Sequence, residues 1–125
     1  MEWKEKLEEL KESAFKNPEI DDFMLNNAKK IRDAVAKIDK SQKFFRELGK
    51  KDPRLDEIQS ALDRALRTYN DNIREVLTYY FTHSRLFDVK GIKNIVAVNL
   101  SRYGTKPSVV LDAIDDAYDA VKRYM

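Results

Sequence analysis

The segment that decides the fold is residues 18–48, which read PEIDDFMLNNAKKIRDAVAKIDKSQKFFREL. Its apolar side chains recur every three or four residues, the spacing that places them on one side of an α-helix. They are Ile20, Phe23, Met24, Ile31, Ala34, Val35, Ile38, Phe45 and Leu48. Asn17 before Pro18 is a typical helix start, and Gly49 is a typical helix end. The pattern predicts one helix of roughly 30 residues, unless Ser41 caps a new one.

A second long apolar stripe follows at once. Asp52 and Pro53 repeat the capping residue and proline that open a helix, and the stripe then runs from Leu55 to Phe81. Two long helices joined by a few residues around Lys50 favour an antiparallel pair. The sequence therefore predicts an all-α fold, a helical bundle of about five helices built on a long antiparallel helical hairpin.

Three shorter helices complete this prediction. They are marked by apolar repeats at Trp3, Leu7, Leu10 and Ala14, at residues 92–100, and from Pro107 to the end of the chain. A loop is expected near residues 83–88. The run Ile95-Val96-Ala97-Val98 has some β-propensity, but we interpret it as buried helix. Because no linker interrupts the pattern, residues 1–125 are expected to form a single all-helical domain.

Composition excludes several classes of protein. The 125 residues contain no Cys and one His, so disulfides, thiolate zinc sites and cysteine nucleophiles are excluded. Charged residues make up 37% of the chain, yet the formal net charge is only +2, which is typical of solvated helix faces. No apolar run has the length of a signal peptide or a membrane span. We therefore expect a cytoplasmic protein with no membrane contact.

No sequence motif indicates catalysis. The three glycines, Gly49, Gly91 and Gly104, are too far apart for a phosphate-binding loop. His83 is the one side chain whose ordinary pKa lies near neutrality, and it could serve as a general base beside Tyr79 and Ser84. The alternative is a histidine at a helix end, where it interacts with the helix dipole. We favour the alternative and expect no enzyme activity, no cofactor and no metal.

One region of the chain is distinctly basic. Between Lys29 and Arg54 there are ten Lys or Arg residues and four acidic residues, a local balance of +6. Five of them share an arc opposite the apolar stripe: Lys29, Arg32, Lys40, Lys43 and Lys50. Such an arc could lie along a phosphate backbone. It could also be an ordinary solvated face with pairs such as Lys43 and Glu47.

Aromatic residues suggest a second kind of surface. Neighbouring aromatic side chains cannot all point inward from one helix, so we select Phe44, Tyr79, Tyr80 and Phe87 as candidate partner-binding residues. The alternative, which is the more common arrangement, is that the fourth and fifth helices cover them as part of the core. Long helices covered by shorter ones would also leave apolar surface for a second chain. The function expected first is thus a non-enzymatic helical interaction protein, acting as a homo-oligomer or as the small subunit of a larger assembly. The alternative is a nucleic-acid-contacting subunit that uses the basic arc.

Two small sets of residues resemble known families. The chain resembles the small helical subunit of type III CRISPR effector complexes at Ser41-Gln42, Phe44-Phe45 and Ala117-Tyr118. It resembles class IIa bacteriocin immunity proteins at Asn17-Pro18-Glu19 and from Tyr79-Tyr80 through His83. Each set covers only a few residues, so no function is carried over from either family.

Overall fold

The computed structural model describes residues 17–83 and 87–125. These residues are 81% helix and contain no strand, which confirms the all-α prediction. The helices are α1 (Pro18–Asn26), α2 (Ala28–Leu48), α3 (Arg54–Leu66), α4 (Asp71–Thr82), α5 (Val89–Tyr103) and α6 (Pro107–Lys122). The predicted first helix, with Trp3, Leu7, Leu10 and Ala14, lies outside the described residues.

The first long helix is interrupted, but not where the sequence suggested. α2 passes through Ser41 without a break. The Ser41 hydroxyl donates to the Lys37 carbonyl one turn back, at 2.9 Å, so it does not cap a new helix. The interruption is at Asn27, whose backbone has φ −120° and ψ 23°. The Asn27 side-chain amide donates to the Phe23 carbonyl at 2.9 Å. This hydrogen bond caps α1, so the prediction of one helix from Pro18 to Leu48 is wrong.

The second long helix is also divided. α3 ends at Leu66, and α4 begins after Asn70, whose side-chain oxygen accepts the Ile73 backbone N–H at 2.9 Å. The same Asn70 side chain donates to Asn99 at 2.9 Å and to Thr105 at 3.1 Å. These two hydrogen bonds fix the turn between α3 and α4 to the turn between α5 and α6.

Of the predicted second helix of the hairpin, the α4 part packs against α2, whereas the α3 part makes little direct contact with it. α6 packs against both α2 and α3, and α4 also contacts both. The C-terminal helix therefore occupies the position expected for a neighbouring hairpin helix. The prediction of a long antiparallel hairpin is not confirmed, because pairing of α2 and α3 would need the groove that α6 fills.

The fifth helix of the structure lies inside the core. Residues 94–99 of α5 are all buried, and the interpretation of Ile95 to Val98 as buried helix is confirmed. Asp88 caps the helix by accepting the Gly91 backbone N–H at 2.9 Å. A Cβ at Gly91 would lie 3.0 Å from the Phe87 ring, so glycine permits this ring to pack against the first turn of α5.

The apolar stripes of the helices face inward. Ile38, Ile58 and Leu77, from α2, α3 and α4, are all fully buried. The large hydrophobic side chains that are exposed among the described residues are Leu25, Val89, Tyr103 and Met125. They lie on different elements or at opposite ends of α5, so they form no continuous stripe. No helix within the described ranges is both long enough and apolar enough to cross a membrane.

Candidate functional site

The basic arc predicted from the sequence lies on the outer face of α2. Lys29, Arg32, Lys40, Lys43 and Lys50 are all exposed. The first four lie on one uninterrupted helix at intervals of three, eight and three residues, which keeps them on one face over roughly 21 Å. Lys50 follows directly after Gly49, the C-terminal cap of α2. We call these five residues the basic face.

No ion pair joins any residue of the basic face to another described residue. The pair of Lys43 with Glu47, expected if this were an ordinary solvated surface, is not formed. Other cations of the region are paired, since Lys37 binds Asp115 at 2.6 Å and Arg54 binds Asp52 at 3.0 Å. The basic face therefore consists of cations whose charge is not used within the described fold.

The outer face of α6 has the opposite charge. Asp112, Asp115, Asp116 and Asp119 are all exposed there, and we call these four residues the acidic face. Two of them bind neighbouring helices or turns, because Asp115 accepts from Lys37 and Asp116 accepts from the Tyr69 hydroxyl at 2.5 Å. The pKa of Tyr69 is raised well above its usual range, mainly because the phenol is partly buried and also because it donates a hydrogen bond to Asp116. The Asp115 hydrogen bond likewise raises the pKa of Lys37.

The four aromatic residues selected as partner contacts have different surroundings. Tyr80 and Phe87 are 7% and 2% exposed, and their rings meet edge to face with centroids 4.5 Å apart. Both belong to the core and present no ring to a partner. Phe44 and Tyr79 pack against the core but are only partly buried. The structure thus leaves two of the four residues within reach of another molecule.

His83 lies at the C-terminal end of α4, as the helix-end interpretation expects. Its backbone N–H donates to the Tyr79 carbonyl at 3.0 Å, and its ring stacks on the Tyr79 ring with centroids 4.2 Å apart. The Nδ1 atom also lies 3.0 Å from the Thr82 hydroxyl. Among the described residues no carboxylate contacts the His83 ring, so this part of the chain supplies no acidic group of the kind that orients a general base in a catalytic triad.

An open cleft lies where α2, α3 and α4 end or begin. It is lined by Phe45, Arg46, Gly49, Lys50, Leu55, Gln59, Thr82 and His83, with a volume of about 500 Å³. Of these residues only Lys50 and His83 were selected from the sequence as candidate functional residues. The others could not be predicted to line a cleft, because the end of α4 reaches α2 and α3 only through the turn at residues 67–70.

Other kinds of site are less well supported in the described part of the chain. Within it, no group of three or more His, Asp or Glu side chains is placed to hold a metal ion. The neighbouring carboxylates Asp21 and Asp22 do not act together, since Asp21 binds Lys93 at 2.7 Å. The cleft beside the basic face is lined by cations without Asp or Glu, whereas three other surface hollows of the described residues are lined by both Asp and Lys or Arg.

Comparison of the chain with known proteins found no matching family model, no matching curated protein and no matching solved structure.

Proposed function

We propose that this protein is a non-enzymatic nucleic-acid-contacting subunit that lays the basic face of α2 along a phosphate backbone. The observation that carries the proposal is the set of five exposed cations on one side of α2, none of them paired within the described residues. A polyanion gains affinity mainly by releasing counterions when cations replace them along the backbone. Cations already neutralised by carboxylates contribute little to that exchange.

The spacing of the basic face supports the proposal. Lys29 and Arg32 lie about 5 Å apart along the helix axis, as do Lys40 and Lys43, and these four cations extend for roughly 21 Å. This length accommodates several consecutive phosphates. The opposite side of α2, with Ile38 at its centre, is buried in the core, so the helix is held rigidly while its outer face meets the ligand.

A charge-reversal variant tests the proposal. Binding of a fluorescently labelled oligonucleotide would be measured by anisotropy for the wild type and for Lys40→Glu with Lys43→Glu. We expect a loss of affinity of roughly 10- to 100-fold at low salt, because two phosphate contacts become repulsive. The matched control is Lys122→Glu with Arg123→Glu, two exposed residues at the end of α6. It changes the net charge equally, so an equal loss of affinity would contradict a role for the basic face.

A protein partner or self-association is the second candidate function. It is favoured by Phe44 and Tyr79, whose rings are only partly buried although both belong to the aromatic clusters of the core. The buried apolar stripes of α2, α3 and α4 give it no further support. The same variants separate the two candidates, because reversal of Lys40 and Lys43 should leave a complex formed through Phe44 and Tyr79 largely intact.

A further inference from the structure

The cleft at the end of the basic face combines apolar and cationic groups. Its floor includes Phe45, which is 6% exposed, and the partly buried Leu55. Arg46 and Lys50 stand at its edge, and no Asp or Glu is among the lining residues. The volume of about 500 Å³ is within the range of small-ligand sites. A ligand that fits must therefore carry a flat or apolar group together with negative charge.

An aromatic platform also lines the cleft. The exposed ring of His83 is stacked on Tyr79 with an angle of 23° between the two planes. Because Tyr79 supports it from one side, this ring is held in place at the C-terminal end of α4. Nucleobases stack on such rings regardless of base identity, since every base presents a flat π surface.

Lys50 connects the cleft with the basic face. It is the last residue of the basic face and also lines the cleft. Arg46 is exposed and makes no ion pair with a described residue. Burial raises the pKa of Asp39, and the charge of Arg46 offsets only part of that rise. A backbone that follows α2 would thus bring its phosphates to Lys50 and Arg46 at the entrance of the cleft.

We infer that the cleft receives one unpaired base of a single-stranded nucleic acid whose backbone lies on the basic face. This inference rests on the proposed function and specifies its ligand. The base stacks on the His83 ring above Phe45 and Leu55, while Arg46 and Lys50 hold the adjacent phosphates. In a duplex each base is paired and stacked within the helix, so the cleft selects single strands over duplexes.

The single histidine of the chain makes the inference directly measurable by NMR. A deoxyadenosine strand of about 12 nucleotides would be titrated into the wild-type protein while the imidazole proton signals are observed. We expect these signals to move upfield, because a stacked adenine shields protons above its ring. The same strand in a duplex should leave them in place. If the single strand binds with no upfield shift, the base does not occupy the cleft.

A variant series gives an independent readout. His83→Ala should lower the affinity for the single strand about 5- to 20-fold, since base stacking on an aromatic ring is lost, and should leave duplex affinity unchanged. His83→Phe keeps a flat ring and should retain most of the affinity. Equal losses for single strand and duplex, or no loss in His83→Ala, would overturn the inference.

Failure of the cleft and failure of the proposed function are distinguishable. If His83→Ala has no effect while Lys40→Glu with Lys43→Glu still weakens binding, the basic face binds nucleic acid and the cleft does not. If no oligonucleotide binds even at low salt, both proposals fall. An acidic peptide rich in aromatic residues that binds only when His83 is intact, and that leaves the strand bound, would assign the cleft to a protein partner and overturn the inference.

Discussion

The outer faces of α2 and α6 carry opposite charges on two helices that pack against each other. On α6, two of the four carboxylates are bound within the fold, Asp115 by Lys37 and Asp116 by Tyr69. On α2, all five cations of the basic face are without an ion pair to a described residue. This difference between the two helices indicates that a charged surface is available to a partner only where ion pairs within the fold have not already neutralised it.

The same comparison explains why the whole-chain charge is a poor guide. The formal net charge of +2 averages a basic surface and an acidic surface that lie on neighbouring helices. Screening limits the reach of an exposed charge to about 8 to 10 Å at ordinary salt. A ligand at the basic face is therefore exposed mainly to the cations there, with some repulsion from the exposed carboxylates of α2 itself, Asp33, Asp39 and Glu47, and from those of α6.

Among changes to the acidic face, the largest effect is expected from reversing the charge of two of its four carboxylates. Asp112 and Asp119 are exposed and make no ion pair with a described residue. Replacing both with Lys should raise oligonucleotide affinity roughly 10-fold at low salt, because repulsion is replaced by attraction. Replacement of both with Asn should give a smaller gain, measured by the same anisotropy titration. A gain as large with Asn as with Lys would show that the effect is not electrostatic.

An intermediate effect concerns the internal use of the acidic face. Tyr69→Phe should lower the free energy of unfolding at neutral pH by about 1 to 2 kcal/mol, since the hydrogen bond to Asp116 is lost. The raised pKa of Tyr69 means that the folded state keeps its phenol proton above pH 10, where an unfolded tyrosine releases it. Wild-type stability should therefore fall as pH rises above about 10, and the variant should lose less.

Denaturant unfolding at a series of pH values measures this difference. The comparison of the wild type with Tyr69→Phe isolates Tyr69, because Lys37, whose pKa is also raised, titrates equally in both proteins. Parallel stability curves above pH 10 would show that Tyr69 is not the group responsible.

The smallest effect is expected where the two faces meet. Lys37 and Asp115 form an ion pair with side-chain exposures of 34% and 55%. Lys37→Met keeps most of the aliphatic chain and should cost less than about 1 kcal/mol of unfolding free energy, because exposed pairs are screened by water. High salt should remove the difference between the two proteins. A loss that persists in high salt would indicate that packing, for instance against Tyr118, is the cause.

Helix type and helix faces could be read from the sequence, because they depend on local periodicity. Ile38, Leu77 and Ile114 lie on the predicted stripes and are fully buried. The basic face was also predictable, since the spacing of residues along one helix determines which side chains lie on the same side of it. The start of the last helix at Pro107 was predicted too, and the structure begins α6 there.

The arrangement of the helices could not be read from the sequence, because it depends on hydrogen bonds between distant residues. Asn70 stops one helix and begins another while its amide reaches Asn99 and Thr105. The apolar stripe continues in phase across this turn, so periodicity alone does not show it. A capping residue at Asn70, followed by Asp71, was the one local signal of the break.

The cleft was missed for the same reason. Its cationic edge at Lys50 follows from α2, but the His83 ring arrives there only because α4 is a separate helix that packs against both α2 and α3. Tyr80 and Phe87 were candidate partner contacts because they neighbour other aromatic residues, with core packing as the alternative, and the structure buries both. Adjacent aromatic residues can thus both find buried positions when several helices converge at one end of the bundle.

The salt dependence of single-strand binding tests the central claim most directly. If all five cations of the basic face contact phosphates, the logarithm of the binding constant should fall with the logarithm of the salt concentration with a slope near −3.5. In Lys40→Glu with Lys43→Glu the slope should become shallower by about 1.4, while Lys122→Glu with Arg123→Glu should keep the wild-type value. Binding that is absent at low salt, or a slope that neither variant changes, would contradict the claim.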